Sequence, residues 1–283
     1  LEDEAHWAHA HTLPLQGVWT HWFEYTHPLD FSWKTLIWGP GRTLVSFLLN
    51  ASINSLPTPD MRKMMGYIPT AQCPLCRHKP CTLFHILAGC KVALRSGRYT
   101  WRHDSVLLVL RVALQERLDK HNSTKIVPNL PPDISKSFVK EADKKKPTIG
   151  RPPSNHLLSG ADDWEMMVDF NYDRLVFPKF ICTSDLRPDI LIFSKKSRRI
   201  ILIELTCPAE ESIPAKHIEK EARYVQLSEQ IQQHGWHAQT FAVEAGARGF
   251  VARSMNTCLR KLGFTPKQAS RACKSVSLTV AKC

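Results

Sequence analysis

Arg187-Pro-Asp-Ile-Leu-Ile-Phe-Ser-Lys-Lys-Ser-Arg-Arg-Ile-Ile-Leu-Ile-Glu-Leu-Thr206 is the stretch on which the reading of this chain turns. It has the form of two short apolar strands joined by a tight basic turn. Each strand carries one acid, Asp189 entering the first and Glu204 near the end of the second. A turn centred between Lys196 and Ser197 sets these acids opposite each other, with Cβ atoms roughly 5 Å apart. Two carboxylates so placed repel unless a cation or a proton sits between them, which is the layout of a divalent-metal site. Ile190, Ile192, Ile201 and Ile203 share one face. Leu191, Phe193, Ile200 and Leu202 share the other with both acids. Two apolar faces mean strands covered on both sides, as in the middle of an α/β sheet. A single acid at a strand end can simply be solvated; two on the same face at the same end favour a site.

The rest of the composition fits a globular chain. Its 283 residues are 43% hydrophobic, enough for one large or two modest cores. No uncharged apolar run approaches about 18 residues, so no transmembrane helix is expected. No secretory signal opens the chain. It starts at Leu1 without Met and stops at Cys283, as a fragment of a longer polypeptide does. Lys and Arg exceed Asp and Glu by 12, distributed as −2 over 1–70, +9 over 71–150, −2 over 151–213 and +7 over 214–283. The basic segments flank the carboxylate hairpin, a distribution suited to a polyanion, because neutralising phosphates releases counterions. Charge for solubility alone is the plainer alternative.

Nine cysteines are unevenly spread, four of them between Cys73 and Cys90. That is one metal cluster in a reducing compartment rather than a disulfide framework. Cys73-Pro-Leu-Cys76, eight residues, His85, four residues and Cys90 supply three thiols and an imidazole. Such a set suits tetrahedral Zn2+ with no open position, hence a structural site. Cys81 and His78 are spare candidates.

Four regions are expected. Residues 1–70 are helical and Trp-rich, with Trp7, Trp19, Trp22, Trp33 and Trp38 reading as core more than as a base-stacking platform. Leu44 to Leu49 is a packed helix, and Leu56-Pro-Thr-Pro-Asp60 a turn or helix stop. Residues 71–118 hold the zinc cluster, a short helix Thr82 to Ala88 and a basic helix beginning at Gly97-Arg-Tyr-Thr-Trp-Arg-His-Asp104. In that helix Val106, Leu107, Leu110, Ala113, Leu114 and Leu118 form an apolar stripe. Arg98, Arg102 and Arg111 are candidates for phosphate contacts, or form a solvated face. Residues 119–160 read as a Pro-rich linker with a basic run, Lys144, Lys145 and Lys146, that could hold nucleic acid. From 161 to 283 the pattern predicts an α/β domain: a helix or turn at Asp163 to Phe170, a strand at Arg174 to Phe177, the hairpin, an amphipathic helix Pro214 to His234 with Ile218, Ala222, Val225 and Ile231 on its apolar side, a strand Gln239 to Glu244, and a last helix Phe250 to Leu262.

A Pro-Asp, fourteen residues, then a Glu in an apolar strand resembles the PD-(D/E)XK nuclease core. That family places Lys two residues after the second acid, where this chain has Thr206. A lysine from the following helix can take its place: Lys216 and Lys220 share one helix face, and Lys220 is favoured, with Tyr224 one turn on. The combination of the Cys-Cys-His-Cys cluster, Gly-Arg-x-x-Trp-Arg-His-Asp, the basic Pro-rich stretch and Arg-Pro-Asp…Ile-Glu-Leu-Thr-x-Pro resembles the C-terminal region of non-LTR (LINE-type) retrotransposon polyproteins. These carry a restriction-like endonuclease behind a reverse transcriptase, and the resemblance runs from about Trp33 to Gly263.

The resemblance implies a fold of the α/β (α+β) class: a PD-(D/E)XK core of mixed sheet flanked by helices, preceded by a helical region with a small zinc knuckle. It implies an Mg2+-dependent DNA endonuclease that nicks chromosomal DNA to prime reverse transcription. The family's metal-binding acids map onto Asp189 and Glu204 and its displaced lysine onto Lys220, the catalytic lysine; read from the residues themselves, the Leu205 carbonyl would join Asp189 and Glu204 on Mg2+, and Asp173 or Asp169 would help a second ion. Cys73, Cys76, His85 and Cys90 would hold Zn2+. The expected partners are target DNA and the element's RNA, with no membrane, and the expected compartment is the nucleus. A catalytically inactive, zinc-dependent nucleic-acid-binding remnant or co-opted fragment is the alternative.

Overall fold

The computed structural model describes residues 2–27, 41–123, 156–170 and 172–283. Trp33, Trp38 and the Lys144, Lys145 and Lys146 run lie outside them. Described residues form α1 (Glu2–Thr12), a 3-10 turn (Val18–Glu24), α2 (Arg42–Ser52), α3 (Pro59–Met64), a π turn (His85–Gly89), α4 (Lys91–Arg95) and α5 (Arg98–Asn122). After these come β1 (Trp164–Val168), β2 (Ile190–Ser194), β3 (Arg199–Thr206), α6 (Ile213–Arg223), α7 (Val225–Gln233), β4 (His237–Glu244), α8 (Arg253–Lys261) and α9 (Pro266–Lys282). The result is a mixed α/β fold, a sheet packed with helices and preceded by a helical region that holds a Cys3His cluster.

The sheet order is β1-β2-β3-β4. The pairs β1/β2 and β2/β3 are antiparallel, and β3/β4 is parallel. A tight turn joins β2 to β3, whereas the parallel pair needs a crossover, which α6 and α7 supply. Ile190 pairs with Ile203 and Ser194 with Arg199, the register that puts Asp189 opposite Glu204 at the hairpin's open end. Ile190, Ile192, Ile201 and Ile203 enter the larger core with Val106, Leu107 and Leu110 of α5 and with residues of α8 and α9. Leu191, Phe193, Ile200 and Leu202 enter a second core with Tyr224, Leu227 and Ile231. β2 is therefore buried along its whole length, as an all-apolar strand requires.

Four expectations for this domain are corrected. Residues 163 to 170 hold no helix: Trp164–Val168 is a strand whose backbone groups are satisfied by β2. Arg174 to Phe177 is irregular; its alternation places Leu175 and Phe177 in the second core without pairing them. The helix expected from Pro214 to His234 is two helices broken at Tyr224. Of the apolar side expected for it only Ile231 is buried; Ile218, Ala222 and Val225 face solvent, while Ile213, Tyr224 and Leu227 go inward. The last helix starts at Arg253 rather than Phe250, because Val251 and Ala252 bridge to Ala245 and Thr26. A further helix, α9, follows it, with Pro266 in its first turn and a capping box in which Thr265 and Gln268 exchange side-chain and backbone hydrogen bonds.

The N-terminal region is fastened to the sheet domain through Arg248. Its fully buried guanidinium bonds Glu210 at 2.9 Å and Glu211 at 3.0 Å and lies 4.9 Å over the Trp22 ring. Arg253 adds bonds to the carbonyls of Thr26 and Phe23. No helix among the described residues is long and apolar enough to cross a membrane.

Candidate functional site

The two acids meet where β2 begins and β3 ends. Asp189 precedes β2 and its Oδ2 accepts the Leu205 backbone N–H at 2.6 Å. Glu204 is buried, as an acid in the sixth position of an inner strand has to be. A buried carboxylate needs partners, and α6 brings them. Lys220 Nζ is 2.5 Å from Glu204 Oε1, and Arg223 reaches the same oxygen at 3.4 Å. The Tyr224 hydroxyl donates to Glu204 Oε2 at 2.7 Å. Burial and the negative charges of Glu204 and Asp189 push the Tyr224 phenol well above its ordinary range. It therefore stays a donor at any ordinary pH.

Of the two candidate lysines, Lys220 lies on the acid. Lys216 is turned to Glu219, 2.6 Å away. Thr206, in the family's lysine position, is half-buried, and its hydroxyl has no hydrogen-bond partner among the described residues. Beside it in the parallel register stands Glu244, a buried acid that accepts from Ser254 at 2.6 Å and faces His217 at 2.8 Å. Asp169 does not converge on the pair through its Oδ1, which caps the Leu175 N–H at 2.6 Å. Asp173 is bridged to Phe170 through the backbone.

Sequence reasoning missed His103. Its Nε2 lies 3.4 Å from Asp189 Oδ1, and its Nδ1 lies 3.1 Å from Asp104 Oδ1. Burial opposes protonation of this ring, but Asp189 and then Asp104 outweigh it and raise its pKa to about 9. The signal was present in the Arg-His-Asp end of the motif that opens α5. That motif carries part of the family resemblance, but within it only the arginines were given a role.

The second constellation is the Cys/His cluster. One donor atom from each of Cys73, Cys76, His85 and Cys90 lies within 4.8 Å of the others, and Cys73, His85 and Cys90 are buried. Cys76 Sγ and His85 Nε2 are 3.2 Å apart. The Cys73-to-Cys76 turn closes with Arg77 N–H on the Cys73 carbonyl and Cys73 N–H on the His78 carbonyl. Burial works against ionising Cys73, but the N–H groups of Cys76 and Leu75 and the His85 ring prevail and bring its pKa down to about 6. A thiolate beside two thiols and an imidazole is a donor set that fits Zn2+. Cys81, buried against the cluster, is pushed up to about 12 by burial and by Cys73, so it stays a thiol. His78 stacks on the His85 ring at 4.7 Å.

Helix α5 joins the two constellations. The Tyr99 hydroxyl accepts from Cys90 N–H at 3.0 Å and donates to the Ile86 carbonyl at 3.0 Å. Arg102 is buried and bonds the Leu87 carbonyl at 2.8 Å. It is thus a brace for the Cys/His turn, which corrects its reading as a phosphate contact. Arg98 and Arg111 are exposed. None of the nine cysteines forms a disulfide. No protein-family model matches the chain, and no curated protein matches it in sequence.

Proposed function

We propose that the chain is the metal-dependent endonuclease region of a non-LTR retrotransposon protein, which nicks target DNA so that the freed 3′-hydroxyl primes reverse transcription. The observation that carries this reading is Lys220 on Glu204, with Asp189 across the hairpin. It supplies, from a helix, the cation that the PD-(D/E)XK pattern places at the position of Thr206.

In this reading Asp189, Glu204 and the Leu205 carbonyl would hold Mg2+. Opposed carboxylates are the hard oxygen donors such an ion takes. Bound there, the ion supplies an oriented, more acidic water and a counter-charge for the leaving oxygen. The chain's own residues do the rest. Lys220 steadies the negative charge that develops on the phosphate. Tyr224 fixes one oxygen of Glu204, and the Leu205 N–H fixes one oxygen of Asp189. The Cys73, Cys76, His85 and Cys90 cluster is read as a structural zinc knuckle. Target DNA and element RNA are the proposed partners, and a chromosomal target places the protein in the nucleus.

The end chemistry tests this reading. Nicks made by the full chain with Mg2+ should be extendable by a polymerase and resealable by ligase, as 3′-hydroxyl and 5′-phosphate ends are. Ends that neither enzyme accepts contradict it.

A second reading has its own support in Thr206, whose buried hydroxyl stands where the family has lysine. A catalytically inactive, zinc-dependent nucleic-acid-binding remnant would bind DNA in a filter assay, lose it on zinc chelation, and cleave nothing.

A further inference from the structure

Asp189 has two oxygens, and only one is held by its own domain. Oδ2 takes the Leu205 N–H at 2.6 Å. Oδ1 faces His103 Nε2 at 3.4 Å, from a helix far upstream in the chain. The ring is itself oriented, because its other nitrogen lies 3.1 Å from Asp104 Oδ1. The helix that carries it is fixed on both sides. Tyr99 and Arg102 tie one flank to the Cys/His turn, and Val106, Leu107 and Leu110 bury the next turn in the core beneath the sheet. His103 therefore has little freedom to leave Asp189.

We infer that His103, aligned by Asp104, is a positioning residue for Asp189 and fixes the plane of the carboxylate that receives the catalytic ion. The inference rests on the nuclease reading above. A carboxylate bonded at one oxygen still rocks about its Cβ–Cγ bond; an imidazole nitrogen 3.4 Å from the other oxygen narrows that motion. Partners of this kind around metal-binding carboxylates typically contribute about 10-fold to 100-fold in affinity or activity. The role is orientation and not ion binding, since the ring nitrogens are directed to two carboxylates. An amide that places an N–H near the Nε2 position should replace it.

The experiment is calorimetric titration of Mn2+ into the zinc-loaded full chain, with zinc content and melting temperature measured on every variant. Asp189→Ala defines the site by abolishing the binding. His103→Ala is expected to weaken Mn2+ binding by about 10-fold, with zinc content unchanged. His103→Gln should recover most of the loss. Asp104→Asn, which leaves the ring in place and loosens its far nitrogen, should weaken binding by roughly threefold, on the scale of losing part of such a contact, and tests the inference even where His103→Ala fails to fold. Affinity unchanged or tightened in the folded variants overturns the inference and leaves the nuclease reading standing. Loss that Gln does not restore, accompanied by loss of zinc, assigns His103 to the fold and also overturns it. Absence of Asp189-dependent binding in the wild-type chain overturns both.

Discussion

Lys220 Nζ sits 2.5 Å from Glu204 Oε1 although the two residues come from different elements, a helix of the crossover and an inner strand. Thr206 and Glu204 fall on the same face of β3, and Lys220 reaches that face from the helical layer that covers it. Lys220→Ala is expected to lower the nicking rate by about 100-fold or more, as removal of a preorganised charge at a reacting group does. Lys216→Ala, which breaks a surface pair with Glu219, should leave it within about twofold, the scale of exposed ion pairs. Comparable losses in both would remove Lys220 from the site.

Tyr224 serves both the core and the site. Its ring is buried in the second core, and its hydroxyl holds Glu204 Oε2. Tyr224→Phe keeps the ring and strands the carboxylate oxygen. The expected cost is about 1–3 kcal/mol of stability, the penalty for an unpaired buried acceptor, read as a lowered urea midpoint with unchanged slope. An unchanged midpoint would mean that water or another donor serves Glu204 as well.

The Cys/His cluster separates ligands from bystanders. Cys81 is buried like Cys73, His85 and Cys90, yet its thiol is held up near 12 while Cys73 is brought down to about 6. Purified chain should carry one Zn2+. Cys81→Ser should retain it, whereas Cys73→Ser and Cys90→Ser should lose it. Zinc retained in Cys73→Ser and lost in Cys81→Ser would reassign the ligand set.

His156 gives a pH signature away from both sites. Burial first, and then Arg117 and His121, lower its pKa from its ordinary 6.5 to about 4. The ring is neutral in the folded chain at pH values where the unfolded chain already binds a proton. Its contribution is therefore complete above pH 6.5 and is lost as pH falls from there through about 4. Denaturant midpoints measured across that window should fall more steeply for the wild type than for His156→Phe. Parallel curves would exclude the assignment.

The hairpin was legible because two apolar periods, one turn and two acids constrain each other. A slip of one residue in either strand would put its acid on the face opposite its partner's. The Cys/His spacing was legible for a similar reason, since few arrangements satisfy four donors. β1 was not, because Glu165, Met166 and Met167 favour helix locally and the segment gains its pairing only from β2. The break at Tyr224 was not, because a continuous helical pattern conceals a side chain drawn out of register by a buried acid. α9 could have been foreseen from Thr265-Pro-Lys-Gln268, a capping signature. The Arg-His-Asp end of the α5 motif marks His103 as a candidate, but its contact with Asp189 depends on how α5 packs beneath the sheet.

Conversion of supercoiled plasmid to open circles with Mg2+ tests the central claim most directly, with the wild-type chain compared with Asp189→Ala and Glu204→Ala. The account predicts nicking by the wild type and none above background by either variant, with all three proteins folded and carrying zinc. Nicking that persists in both variants, or a wild-type chain that binds the plasmid and never cuts it, contradicts the account.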